Sequence, residues 1–257
     1  MSISADRLEA LRQKVKIEGT DFGMPLHLPY VGVLRSLPAT LLSFLRVRYT
    51  GCHRLPRGGP AILAGNHTSH VDPIAVIAGA RRRTHYLAKD SHFKHLHTSI
   101  VMNLTGQIRT HRESGAADAL SRGVDVLERG RFMGIFPEGT RSRRTEPPFL
   151  ATGKTGVARL AASCPDVPVH PLAILDARDI MAPGDKIIRL WKPFQVNYGT
   201  GISWNEWLAD AKGGGMDDAA VDALLSQPEH ELRASMGALY RKFTDQLIAS
   251  IRALGAP

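Results

Sequence analysis

Cysteine is nearly absent from this chain of 257 residues: Cys52 and Cys164 stand far apart, in neither a CxxC nor a metal-ligand spacing. That argues against a disulfide framework and for a reducing compartment, and nothing recommends either thiol as a nucleophile. Aromatic residues are scarce, at 6%, which leaves little material for base-stacking platforms. Long apolar runs are missing as well. No stretch reaches the roughly 20 uninterrupted apolar residues of a membrane-spanning helix, and the opening MSISADRLEALRQKVK lacks the apolar centre of a signal peptide. The expectation is a protein on the cytoplasmic side, with contact to a membrane surface a separate matter. Acidic residues are in deficit, 24 against 33 Lys and Arg, for a formal charge of +9 and a pI near 9.9. An anionic partner follows, whether nucleic acid, an anionic membrane or a phosphorylated substrate.

What is present is an ordinary globular balance, 43% hydrophobic and 22% charged, in a length that suits one large domain. Residues 4–17 place Leu8, Leu11 and Val15 at helical spacing among Arg7, Arg12, Lys14 and Lys16, a basic amphipathic helix. The next stretch repeats leucine at Leu34, Leu37, Leu41, Leu42 and Leu45 between prolines and arginines. Such a face lies equally well in a lipid interface or against a core. Residues 1–48 are therefore read as an amphipathic segment at the membrane interface, and 49–257 as the main domain.

From residue 60 the pattern alternates. AILAG, THYLAK, RFMGIF, VPVHPLAIL and IIRLWKPFQV read as strands, and PIAVIAGA, AADALSRGVDVLERG and GKTGVARLAAS as helices. The fold class is α/β, with a mostly parallel central sheet flanked by helices and polar chemistry at the strand ends. Residues 198–227 form a glycine-rich excursion, mobile near Gly213–Gly215, and a long helix follows Pro228 with Leu232, Met236, Leu239, Phe243, Leu247 and Ile251 on one face.

Three clusters carry chemistry. In GNHTSHVDPI, residues 65–74, Pro73 suits a first helical position and Asp72 an N-cap. That leaves His67 unexplained, and a histidine facing an aspartate also makes a general base with a fixed tautomer. The two readings stay open on local grounds. A zinc site is disfavoured, because His67 and His70 are three apart and proline follows Asp72, and His92, His95 and His97 lack a fourth partner. FPEGTRS, residues 136–142, follows a strand and combines a glycine, two hydroxyls, Glu138 and the planar double donor of Arg141. GQIRTHRE, with Arg109 and Arg112, is a weaker anion-binding candidate. ATGKTG ends like a P-loop but carries Pro148 where the first glycine belongs; it reads as a helix start with Lys154 near an anionic site.

Taken in order, NHTSHVD, GQIRTHR, FPEGTRS and VPVHPLAI closely resemble the four motif blocks of the glycerophospholipid acyltransferases, especially the lysophosphatidic acid acyltransferases, over roughly residues 50–195. The resemblance implies that His67 is the general base and Asp72 its support. It implies that Arg112, Glu138, Gly139, Thr140 and Arg141 bind the acceptor's phosphate and glycerol, and that Pro171 helps form the acyl-donor or acceptor cleft. The expected substrates are a lysophospholipid and an acyl thioester of coenzyme A or acyl carrier protein. No metal, bound cofactor or nucleic acid is expected, and the expected location is peripheral, on the cytoplasmic face of a membrane. Glycerol-3-phosphate or another lysolipid is the alternative acceptor, and a noncatalytic basic membrane- or nucleic-acid-binding module the alternative class.

Overall fold

The computed structural model describes residues 3–20, 46–93, 99, 102, 106–110, 115–185, 187–189 and 191–257. The leucine-rich stretch of residues 34–45, Arg112, His95 and His97 lie outside the described residues, as does the side chain of His92.

Strand β2, Ala61–Gly65, is buried at all five positions, as befits a central strand covered on both faces. Beside it run β5, Phe132–Ile135, and β6, Val169–Leu175, with Ala64 level with Ile135 on one side and Pro171 on the other. Outward lie β3, Thr84–Lys89, and β4, Ile108–Thr110, at one edge. At the other edge are β7, Phe194–Tyr198, and β1, Val47–Thr50. Among the described residues the order is β1-β7-β6-β2-β5-β3-β4, and every pairing is parallel except β6 with β7. The expected mostly parallel sheet is present.

Because alternate residues face opposite sides, the sheet divides the core in two. Ala61, Leu63, Leu172 and Ile174 pack with helix α2, Asp72–Ala80, and the short α5, Ala177–Ile180. Ile62, Ala64, Val169 and Ala173 face the other cluster, built from α3, Gly115–Glu128, α4, Gly156–Ser163, α6, Trp204–Ala209, α7, Asp218–Leu225, and α8, Glu229–Ala253. In α8, Leu232, Met236, Phe243, Leu247 and Ile251 are buried, matching the expected stripe.

Three expectations change. Helix α1, Ala5–Val15, forms as expected but is docked on the domain: Leu11 is 2% exposed, and Leu8 and Val15 pack against the core. Arg7 ion-pairs with Asp218 and Asp222 of α7, at 3.1 and 2.7 Å. Its apolar face is therefore spent on protein, and the helix belongs with the main domain rather than to a separate segment. Second, the glycine-rich excursion is ordered into α6 and α7. Ser203 and Glu206 form a capping box, Trp204 and Trp207 are buried, and the amides of Gly213 and Gly214 bond to the carbonyls of Asp210 and Trp207. A Cβ on Gly213 would stand 2.3 Å from the Trp207 carbonyl oxygen, so glycine serves close approach there, not freedom. Third, among the described residues IIRLWKPFQV is strand only from Phe194. Ile187, Ile188 and Trp191 are exposed, and the Arg189 amide turns back to the Ile180 carbonyl.

Candidate active site

The carboxyl ends of β2, β5 and β6 share one edge of the sheet, since these strands are mutually parallel. Past β2, buried Asn66 continues the ladder with its side chain: Nδ2 donates to the Ile174 carbonyl at 2.8 Å, and the Ile174 amide donates to Oδ1 at 2.7 Å. The chain then turns sharply into α2, whose second residue is Pro73.

Within that turn Asp72 is fully buried and its Oδ2 collects three donors. His67 Nδ1 lies at 2.8 Å, and the amides of Thr68 and Ser69 donate at 2.7 Å each. These amides precede α2, and Val71 holds the N-cap position. Asp72 thus caps the turn before the helix rather than the helix itself. An ionised carboxylate only accepts, so the proton sits on Nδ1 and the basic lone pair of His67 is on Nε2. Nε2 has no partner among the described residues, and the side chain is 16% exposed. The ring stacks on Phe136, centroids 4.0 Å apart and planes within 7°, and Phe136 in turn stacks on Tyr86. Gly134 makes room for this stack, because a Cβ there would meet the Tyr86 ring at 2.2 Å.

The FPEGTRS turn is clasped to His67 through the backbone. The His67 amide donates to Glu138 Oε1 at 2.8 Å, and the His67 carbonyl accepts from the Ser142 amide at 2.9 Å. Glu138 Oε2 accepts from the Ala151 amide at 3.0 Å. Desolvation by burial pushes this carboxyl above its ordinary value, against the pull of its two amide donors. Both oxygens are engaged with protein, so Glu138 braces the turn that was expected to hold substrate with it. Gly139 has φ +74, a conformation that favours glycine, and the Lys154 side chain lies beside it.

Glu138, Thr140, Arg141, Ser142, Arg143, Arg144 and Ala151 line a cavity of about 470 Å³. The Arg141 guanidinium lies against the His70 ring. Partial burial holds Arg141 below its ordinary value, opposed by the field of Asp72. Arg141, Arg143 and Lys154 have no carboxylate partner among the described residues, which suits a phosphate. The structure thus gathers His67, Asp72, Glu138, Gly139, Thr140 and Arg141. Pro171 is apart from them: it lines a different cavity of about 370 Å³ with Trp207, Phe243 and Leu247, and its carbonyl accepts from the Gly199 amide. Arg109 pairs with Asp90 at 3.2 Å and lies over Phe93. Burial raises both thiols, Cys164 to about 11, which keeps them protonated and unreactive. Among the described residues no three His, Cys, Asp or Glu side chains are grouped as a metal site.

Phe136 gained its role only from the structure. Its ring stands one residue past β5, and strand adjacency, not sequence spacing, brings it under His67.

A histidine–aspartate pair thus stands beside an arginine-lined cavity at the carboxyl edge of a mostly parallel sheet. The chain belongs to the acyltransferase family, whose model matches residues 46–175, half of its length. It is 35% identical over 119 residues to a 1-acyl-sn-glycerol-3-phosphate acyltransferase from Borreliella burgdorferi, covering 46% of this chain and 48% of that one. It is 27% identical over 140 residues to the enzyme of that name from Bacillus subtilis, covering 54% and 69%. A chloroplastic namesake from Arabidopsis thaliana is 26% identical over 150 residues, covering 57% and 41%. The matched region spans about half the length of the first of these relatives. In fold it is similar to the crystal structure of the 1-acyl-sn-glycerophosphate (LPA) acyltransferase PlsC from Thermotoga maritima. The TM-score is 0.55 at 18% identity, covering 84% of this chain and 79% of that one.

Proposed function

We propose that the protein is an O-acyltransferase that moves a fatty acyl group from a thioester to the free hydroxyl of 1-acyl-glycerol-3-phosphate, making phosphatidic acid. The observation that carries this reading is the His67–Asp72 contact of 2.8 Å, held beside the arginine-lined cavity of Glu138–Arg144. His67 Nε2 takes the hydroxyl proton as the oxygen attacks the thioester carbonyl. The C–S bond then breaks, and the leaving thiolate takes a proton from the imidazolium. Asp72 stabilises the imidazolium and fixes its tautomer, so no acyl-enzyme is required.

Arg141, Thr140 and Gly139, with Arg112 of the preceding motif, anchor the acceptor's phosphate and glycerol, and Lys154 adds a further positive charge beside the turn. Anchoring holds the hydroxyl at the thioester and makes the step effectively unimolecular. These roles fall to the chain's own residues, so the reading calls for no metal or bound cofactor. The donor is acyl coenzyme A or acyl carrier protein, and the membrane surface supplies the acceptor, with the protein peripheral on the cytoplasmic face.

The test is purified protein with acyl coenzyme A or acyl carrier protein, and with lysophosphatidate, glycerol-3-phosphate or a lysolipid lacking an exposed phosphate monoester. Lysophosphatidate is expected to be preferred. His67→Ala should lower turnover by about 10²- to 10⁴-fold, the usual range for a general base. Arg141→Ala should raise KM for lysophosphatidate far more than for the other lysolipid. Near-normal transfer by His67→Ala would reject the base, and nucleic-acid binding without thioester consumption would favour a noncatalytic basic module.

A further inference from the structure

The segment that turned out not to be a strand carries an apolar patch beside the site. Ile187, Ile188 and Trp191 are 67%, 46% and 64% exposed, and they are the exposed large hydrophobics among the described residues. Single exposed apolar residues are ordinary on protein surfaces, whereas three within five positions form a patch that calls for a partner.

Charge indicates which partner. Arg189 is neutralised by Asp185 at 2.7 Å, but neighbouring Lys192 is exposed and has no acidic partner among the described residues. Directly after the FPEGTRS turn, Arg143 and Arg144 are exposed as well. Isoleucine and tryptophan at the surface, rimmed by cations, match the interfacial zone of a bilayer with anionic headgroups.

Position matters as much as composition. The patch follows β6, whose carboxyl end lies on the same edge of the sheet as those of β2 and β5. Its stem is bonded to both turns of the site. Ser69 Oγ donates to the Met181 carbonyl at 2.7 Å, and Arg178 donates to the Ser142 carbonyl at 3.4 Å while lying over Phe149. The Arg189 amide, donating to the Ile180 carbonyl at 2.9 Å, closes the base of the loop.

We propose that Ile187, Ile188 and Trp191 are the contact by which this protein sits on an anionic bilayer. The three side chains enter the boundary between headgroups and acyl chains, Lys192 stays among the headgroups, and the tied stem holds the His67 and Arg141 turns toward the lipid. The benefit to catalysis rests on the proposed acyl transfer. The contact itself does not.

The three tryptophans provide the measurement, since Trp204 and Trp207 are 2% and 4% exposed while Trp191 is largely open. Vesicles of phosphatidylcholine and phosphatidylglycerol with brominated acyl chains are expected to quench and blue-shift the Trp191 emission, and Trp191→Phe should remove that response. The double variant Ile187→Asp/Ile188→Asp should partition on the order of tenfold or more weakly, because two apolar side chains lose their burial. Its melting temperature and its turnover of a dispersed short-chain acceptor should stay unchanged.

Unquenched Trp191, or unaltered partition of the double variant, would overturn the proposal. So would a self-associating chain that the double variant renders monomeric without vesicles, or a selective loss of transfer from acyl carrier protein to the dispersed acceptor. Absence of acyl transfer to every acceptor, with quenching intact, would reject the proposed function and leave the membrane contact standing.

Discussion

At the scale of single residues, the environments of His67 and His170 are opposites. His67 has an acidic partner and a ring stacked beneath it. His170 in β6 is 3% exposed, approaches only the Gly199 carbonyl at 3.2 Å, and has no partner for Nε2 among the described residues. Burial therefore pushes His170 below its ordinary value of 6.5. The unfolded chain takes up that proton more readily, so the stability His170 contributes is present above pH 6.5 and is lost as the pH falls through its folded value. The urea midpoint is expected to drop between about pH 7.5 and about pH 5.5, around the unperturbed histidine range, and to drop less in His170→Gln. An equal drop in both proteins would remove His170 as a source of the acid sensitivity.

At the scale of elements, α1 offers a direct check on whether the amino-terminal segment is part of the folded unit. Leu11 is 2% exposed and belongs to the larger core cluster. Leu11→Ala is expected to lower the unfolding free energy by about 2–5 kcal/mol, the range for a buried leucine, measured by denaturant titration. A loss under ~0.5 kcal/mol, the level of an ordinary surface change, would return α1 to the solvent or to lipid.

The same elements mark what was legible in the sequence. Strand β2 was readable because five small and apolar residues end at a glycine, and α8 because its leucines, Met236 and Phe243 keep helical spacing. The apolar run at Ile187–Ile188 misled, since hydrophobicity alone does not say whether a partner strand is available. Helix α6 was announced by Ser203 and Glu206 in capping-box spacing, a signal masked by the surrounding glycines. In the site, His67, Asp72 and Arg141 were legible as motif letters. The bracing by Glu138 was not, because it depends on where Ala151 returns. Pro171 was assigned to the cleft from its motif, yet its strand register sets it level with Ala64, three residues before His67.

At the scale of the whole molecule, the excess of cations predicts steering of an anionic acceptor. With +9 overall and Arg141, Arg143 and Arg144 around one cavity, kcat/KM for a phosphorylated acceptor should fall as salt rises. Screening at ~0.1 M already shortens the field to about 10 Å. Assays with dispersed acceptors at two ionic strengths check this, and an equal effect on an uncharged acceptor would count against steering.

The brace at Glu138 also bears on how variation in this protein should be interpreted. Its carboxylate joins the His67 amide to the Ala151 amide, so damage at position 138 displaces the base without removing any group from it. A genetic screen scored on lipid output alone would rank such alleles with those of His67. Only the separate scoring of protein abundance and rescue by a conservative change would tell a broken scaffold from a missing base.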